Sequence, residues 1–251
     1  MKDYLATIVE NKEIATGICS VTFQLPEKAN VRCGQFGDID VGGTHLLRRP
    51  IAICKAEGDK VTFCYQVKGE GTQKLKRMGA GTQLNVLMPL GNGFYVEENE
   101  QKVALVGGGV GIFPLISVLR EYYGKKQISA YMGFRNRKAV CGLDEFRKAD
   151  KFVGVTDDGS YGKQMNAVQA FVADLEKGNR PDVVLACGPL PMLRALKEVT
   201  EKEGLTCFVS LEERMGCGIG ACLVCVCNTT NGAHARVCKD GPVFNAKDVE
   251  L

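Results

Sequence analysis

In the first hundred positions, apolar side chains recur at every second residue in short runs. Ile18-Cys19-Ser20-Val21-Thr22-Phe23-Gln24-Leu25 and Lys60-Val61-Thr62-Phe63-Cys64-Tyr65-Gln66-Val67 alternate apolar with polar positions. Thr7-Ile8-Val9 and Gly37-Asp38-Ile39-Asp40-Val41 are shorter runs of the same kind. A period of two sends successive side chains to opposite faces of a strand. Pro26, Gly34, Gly42-Gly43 and Gly58-Asp59 punctuate the runs with turn chemistry. Short strands separated by turns predict an antiparallel barrel over residues 1–98, with one short helix at Thr72–Met78.

The period changes near residue 100. Lys102–Val106 is an apolar strand, and a helical stretch follows from Phe113 to Tyr122. Strands are then expected at Ile128–Gly133, Phe152–Thr156 and Asp182–Cys187, with helices at Leu143–Lys148, Asn166–Glu176 and Pro191–Glu203. Alternating strands and helices predict a doubly wound α/β parallel sheet, covered by helices on both faces, over residues 99–208. A last strand, Cys207–Leu211, feeds a cysteine-rich segment, residues 209–251, read as a small third domain. No internal repeat, low-complexity tract or long linker interrupts the chain.

That segment carries the most specific chemistry. Cys217, Cys222, Cys225 and Cys238 are spaced C-x4-C-x2-C-x12-C; the first three reproduce the plant-type ferredoxin spacing for a [2Fe–2S] cluster, with the fourth ligand arriving from farther along. Gly216, Gly218 and Gly220 flank the first two cysteines, and glycine lets a loop bring backbone N–H groups close to sulfur. Four thiolates also suit a structural zinc ion, although zinc ribbons pair two C-x2-C knuckles; free thiols are the remaining reading. Cys227 lies two residues past Cys225 and is read as a small buried neighbour outside the ligand set.

Composition narrows the function classes. The 251 residues are 45% hydrophobic and 24% charged, ordinary for a soluble globular protein. A net charge of +3 is too small to argue for nucleic acid or a membrane surface as partner. Cys19, Cys33, Cys54, Cys64, Cys141, Cys187 and Cys207 are scattered singly and read as buried thiols, unlike a disulfide scaffold. Met1-Lys2-Asp3-Tyr4 opens no signal-peptide core, and no apolar run reaches membrane-spanning length, so a reducing cytoplasm is expected. With only His45 and His234, both read as surface residues, neither a histidine base nor a Rieske centre is supported.

Three further constellations point to ligands. Gly107, Gly109 and Gly111 lie between a strand and a helix, where a pyrophosphate can approach the backbone and rest on a helix N-terminus. Ile112 occupies the third glycine position of G-x-G-x-x-G, so that template fails, and a tight packing turn is the alternative. Cys187-Gly188-Pro189 and Thr156–Ser160 end later strands at the same carboxyl edge, where open α/β sheets bind ligands. In the barrel half, Arg48-Arg49-Pro50 suits a pyrophosphate, although an Arg-Pro pair in a strand is usually a solvated edge. Arg135 and Arg137 follow the second α/β strand; they read as solvated, though Arg there can accept a 2′-phosphate.

Together these residues resemble the ferredoxin–NADP reductase superfamily, a flavin-binding barrel followed by a nicotinamide-binding domain. Arg49-Pro50-Ile51-Ala52 resembles its flavin motif in the R-P-x-S form, and Gly71-Thr72 its second flavin-phosphate element. Cys64-Tyr65-Gln66 is implied to lie along the flavin, and Gly34-Gln35-Phe36 resembles the P-G-Q-F turn. Gly107, Gly109, Gly111 and Cys187-Gly188-Pro189 resemble its pyridine-nucleotide elements. Glu212–Cys222 and Val237-Cys238-Lys239-Asp240-Gly241-Pro242-Val243-Phe244 resemble the electron-transfer subunits of NAD-dependent (type B) dihydroorotate dehydrogenases. That resemblance covers essentially the whole chain.

The resemblance implies an oxidoreductase subunit of pyrimidine biosynthesis that holds FAD and a [2Fe–2S] cluster and uses NAD. It implies a partner, an FMN-containing dihydroorotate dehydrogenase catalytic subunit, in a heterotetramer of two of each chain. No catalytic side chain is expected, because the cofactors carry the chemistry. The alternative is a related FAD/[2Fe–2S] subunit serving ferredoxin, sulfide or a hydrogenase. Three positions depart from the family pattern: Ala52 replaces a serine that can hydrogen-bond the flavin, Cys33 replaces a proline, and Lys163–Asn166 lacks a glycine.

Overall fold

Six strands close into an antiparallel barrel in a computed structural model that describes residues 1–44 and 46–251. His45, expected at the surface, lies outside the described residues. The strands are β1 (Lys2–Ala15), β2 (Ile18–Gln24), β3 (Phe36–Ile39), β4 (Arg49–Glu57), β5 (Lys60–Gln66) and β6 (Gln83–Leu90). Their spatial order is β1-β2-β5-β4-β3-β6, and α1 (Glu70–Lys76) connects β5 to β6. The period-two pattern is realised literally: Val21, Phe23, Val61 and Phe63 are almost wholly buried, while the intervening Thr22 and Thr62 share a 2.9 Å hydroxyl contact across β2 and β5.

The barrel exceeds the sequence expectation in two respects. β1 runs for fourteen residues, and β4 and β6 add strands the pattern did not mark. β4 pairs with β3 on one side and β5 on the other, so the solvated-edge reading of Arg49-Pro50 is corrected: a closed barrel has no edge there.

The second half contains β7 (Lys102–Gly108), α2 (Ile112–Tyr122), β8 (Gln127–Phe134), α3 (Leu143–Phe146), β9 (Lys151–Thr156), α4 (Ala167–Leu175), β10 (Val183–Cys187), α5 (Leu190–Lys202) and β11 (Thr206–Ser210). The parallel strands lie in the order β11-β10-β7-β8-β9. Strand order therefore reverses between β7 and β10, and the crevice beyond their carboxyl ends is where such sheets bind ligands. The C-terminal arm forms a small hairpin, β12 (Val226–Asn228) with β13 (His234–Arg236), and then β14 (Val243–Asn245). β14 pairs antiparallel with β11, so the arm supplies the sixth strand of the nucleotide-half sheet. Asn92 ties the arm to the end of the barrel half: its Nδ2 donates to the carbonyls of Asp240 (3.0 Å) and Val243 (2.9 Å), and its Oδ1 accepts from the Val243 N–H (3.0 Å).

An ion cluster braces barrel against sheet where α2 and α3 face β4. Glu145 on α3 meets Lys55 of β4 at 2.6 Å and Lys148 at 2.9 Å, and Arg120 of α2 links Glu145 to Glu57. Burial acts to raise the Glu145 carboxyl, but Lys55 and Lys148 overcome it and hold it down, from the ordinary 4.5 to about 2. A depressed carboxylate stabilises the fold above its unfolded pKa and ceases to do so as pH falls from about 4.5 toward 2. Glu145→Gln should therefore cost about 2 kcal/mol at pH 7 after solvent screening. Urea unfolding at pH 7 and pH 3 checks this; the gap between wild type and variant should shrink at the lower pH.

Candidate functional site

A cleft of about 290 Å³ lies where barrel, sheet and C-terminal arm meet. β4 lines it with Arg49, Pro50, Ile51 and Ala52, β5 with Cys64, Tyr65 and Gln66, and α1 with Thr72. Cys187 at the end of β10 and Phe113 and Pro114 at the start of α2 close the sheet side. Nine residues singled out from the sequence thus converge on one cleft. Gly71, Gly107, Gly109, Gly111, Gly188 and Pro189 do not line it but shape its walls or the neighbouring crevice.

Local packing explains these glycines. A Cβ at Gly71 would overlap the Arg49 guanidinium, so a glycine here leaves that side chain free to lie against α1 and line the cleft. Thr72 Oγ1 accepts from the N–H groups of Lys68 (3.0 Å) and Gly69 (3.2 Å), capping α1. A Cβ at Gly111 would sit 2.5 Å from the Cys187 carbonyl oxygen and 2.6 Å from Gly188 Cα. The two turns that flank the switch point are therefore in direct contact, with Gly107 packed on Met132 and Gly188 on Met192. Gly109 differs: its φ is +54° and nothing crowds it, so it makes the turn. The Thr156–Ser160 loop closes on itself, with Thr156 Oγ1 bonded to Tyr161 and Ser160 Oγ accepting from the Arg137 N–H at 2.7 Å. Arg135 and Arg137 are exposed, as expected, and so is His234.

The arm brings the four cysteines into two pairs. Cys217 and Cys222 interact with each other, as do Cys225 and Cys238. Cys225 and Cys238 are buried, while Cys222 is exposed. The chain's own N–H groups point at sulfur: those of Ala221 (3.3 Å) and Cys222 (3.4 Å) donate to Cys217 Sγ, and that of Cys238 donates to Cys225 Sγ at 3.4 Å. Burial opposes ionisation of Cys217, but N–H donors at Ile219, Cys222 and Ala221 bring it down to about 6, ready to act as a thiolate. Burial and the adjoining Cys225 push Cys238 up to about 12, so metal must displace that proton.

The residues fit an iron–sulfur cluster better than zinc. Two thiolates per iron need two pairs set apart by bridging sulfide. A zinc site needs four donors converging on one point. The loop is also cut to wrap a group closely. A Cβ at Gly216 would approach Cys222 Sγ to 3.0 Å, Gly218 and Gly220 have φ of +68° and +83°, and Leu223 adopts φ +58° despite its side chain. Cys227 lies outside the pairs, half-buried on β12 opposite Ala235.

Sequence reasoning missed two groups. Glu212, Glu213 and Met215 of the arm line the cleft, a few residues before the first ligand cysteine. Asp38 was read only as part of a strand; it is 2% exposed, and its Oδ1 has no hydrogen-bond partner. The departure from strand alternation at Asp38, polar between Gly37 and Ile39 in a buried run, was the available signal.

A closed flavin-type barrel, a doubly wound sheet with paired turns at its switch point and a four-cysteine arm define an NAD-linked flavoprotein oxidoreductase of the ferredoxin–NADP reductase type, extended by an iron–sulfur domain. Residues 212–250 match the family described as the iron–sulfur cluster binding domain of dihydroorotate dehydrogenase B, and residues 105–198 match the oxidoreductase NAD-binding domain. The chain is 38% identical over 250 residues to the dihydroorotate dehydrogenase B (NAD(+)) electron transfer subunit of Caldanaerobacter subterraneus subsp. tengcongensis, covering 97% of each. Against the subunit of that name from Bacillus pumilus it is 40% identical over 265 residues, covering all of this chain and 99% of the other. Among solved structures, the NADH-dependent reduced ferredoxin-NADP oxidoreductase superposes with a TM-score of 0.86 at 25% identity, over 98% of this chain and 90% of that one. The chain belongs to the family of dihydroorotate dehydrogenase B (NAD(+)) electron transfer subunits. It is an oxidoreductase subunit whose cofactors are FAD, a [2Fe–2S] cluster and NAD.

Proposed function

We propose that this chain accepts electrons from an FMN-containing dihydroorotate dehydrogenase catalytic subunit at its cysteine arm and delivers them at the cleft to NAD+. One observation carries the reading: a single cleft is walled by the barrel strands β4 and β5, by the β10 turn, and by arm residues Glu212–Met215 that lead directly into Cys217. A flavin bound there supplies the conversion between one-electron and hydride traffic. The chain's own residues do the positioning. Arg49 offers a planar cation for a pyrophosphate, and Cys64-Tyr65-Gln66 form the wall along which a ring system lies. Ala52 lines the cleft without a side-chain hydroxyl to offer it. Gly109 and the Cys187-Gly188-Pro189 turn keep the crevice open at the switch point, where the nicotinamide nucleotide belongs. N–H groups of the cysteine loop favour the thiolate of Cys217 and donate to the sulfur of Cys225.

The face that meets the partner is the cysteine loop, where Ile219, Leu223 and Val224 expose apolar side chains beside the exposed Cys222. Two copies of each chain form the assembly. The setting that fits is a reducing cytoplasm: the eight cysteines outside the ligand set form no disulfide. Among the described residues no helix is long and apolar enough to cross a membrane. The test is co-purification with the catalytic subunit and anaerobic NAD+ reduction by dihydroorotate. Activity that needs both chains supports the reading. An isolated chain that ignores that partner but reduces a ferredoxin with NADH would replace it with the ferredoxin-linked alternative.

A further inference from the structure

Asp38 is the one buried side-chain oxygen or nitrogen without a hydrogen-bond partner among the described residues. It sits on β3 between Pro50 of β4 and Leu87 of β6, with both faces of its strand covered. An unpartnered carboxylate oxygen in such a place lowers stability, and its retention points to a use. Two features of opposite character face it. Arg49, which lines the cleft, pairs with Ile39, one ladder position from Asp38; the cysteine loop also reaches Asp38, with Cys217 in electrostatic range. The approach is close: a Cβ at Gly218 would lie 2.8 Å from Asp38 Oδ2, and Gly218 holds φ +68°. Arg48 is matched by a two-point contact with Asp3 (3.0 and 2.8 Å), which leaves Arg49 as the cation whose charge is directed at the cleft.

We propose that Asp38 is a positioning residue for electron transfer: seated against the cysteine loop that carries the first cluster ligand, and one ladder position from the flavin-side arginine, its carboxylate biases electrons away from the cluster and toward the flavin. The inference rests on the functional reading above. A fixed negative charge beside the cysteine loop disfavours an added electron there. The guanidinium of Arg49, across from it, favours negative charge on the cleft side. The two charges are of opposite sign, and Asp38 lies in a dry interior where charges interact strongly. Burial raises the Asp38 carboxyl to about 6, against the opposing pull of Arg48 and Arg49. Asp40, just past the end of β3, adds a further negative charge near Asp38.

The test is a redox titration of the assembled two-subunit complex, following the cluster by electron paramagnetic resonance and the flavin by its visible bands. Asp38→Asn keeps the shape and removes the charge; Asp38→Ser is a second, smaller replacement. A unit charge removed at a separation of about 10 Å, at an effective dielectric near 20, should change the reduced-to-oxidised cluster ratio at fixed potential about tenfold. That is an upward shift of about 59 mV for a one-electron centre, with a smaller shift at the flavin. A narrowed gap between the two potentials in both variants supports the proposal. Unchanged potentials, equal shifts at both centres, or loss of the cluster from both variants would overturn it, the last by making Asp38 a merely structural residue. A wild-type complex with no paramagnetic cluster would instead overturn the functional reading itself.

Discussion

Cys222→Ala should yield a folded, flavin-loaded chain that has lost its iron. Cys222 is exposed, so removing its thiol creates no buried cavity and leaves the Cys225–Cys238 pair and the β14–β11 pairing in place. One pair then has a single thiolate, which cannot complete a four-thiolate cluster. The iron–sulfur bands and the reduced-cluster paramagnetic signal should disappear. Dihydroorotate-driven NAD+ reduction in the complex should fall by on the order of a hundredfold or more, beyond the 10- to 100-fold typical of groups that only support a metal ligand. NADH oxidation by a dye that takes electrons from flavin should stay within about threefold of wild type, because the cleft is built by β4, β5 and β10. Iron content and the two assays, run side by side, decide the matter. An equal loss in both assays would mean that the arm supports the cleft rather than the electron path.

The second large effect is on flavin retention. Arg49→Ala removes the one guanidinium that is packed on Gly71 and lines the cleft. Hydrogen bonds from a charged donor are worth about 1.5–3 kcal/mol each, so FAD affinity should weaken by roughly 10- to 100-fold. The chain should still fold, since Arg49 is only partly buried and the barrel core is made by Val21, Phe23, Val61 and Phe63. Arg49→Lys should not restore tight binding, because an ammonium lacks the planar two-point contact. Fluorescence of released FAD on dilution measures both variants. Undiminished retention in Arg49→Ala would move the pyrophosphate elsewhere in the cleft.

Much of this architecture could be read from residue order because the local signals and the tertiary structure agree. The period-two run Lys60–Val67 became β5, Lys60–Gln66, and the helical pattern at Pro191–Glu203 became α5, Leu190–Lys202. The cysteine spacing named its own chemistry, since a cluster needs thiolates at particular distances and little else. What escaped depended on tertiary closure. In β6 the burial alternates cleanly, but Leu87 and Pro89 on the less buried face blur the pattern of residue types. β4 begins with Arg-Pro, a local edge signal that only the closed barrel cancels. β14 spans three residues with no period to detect, and it exists because β11 offers it an edge. The wall formed by Glu212–Met215 and the isolation of Asp38 likewise arise where distant segments meet. The glycines at 107, 111 and 188 invited a choice between packing and ligand binding. At Gly111 the contact with the Cys187 carbonyl makes packing the means by which the two turns of the crevice are brought together.

The central claim is that one chain joins a flavin, a nicotinamide site and a one-electron cluster. An anaerobic visible spectrum of the purified chain, taken before and after one equivalent of NADH, tests it most directly. The account predicts flavin bands with an iron–sulfur shoulder, both bleaching on addition of NADH. A colourless protein that contains zinc and does not respond to NADH would contradict it.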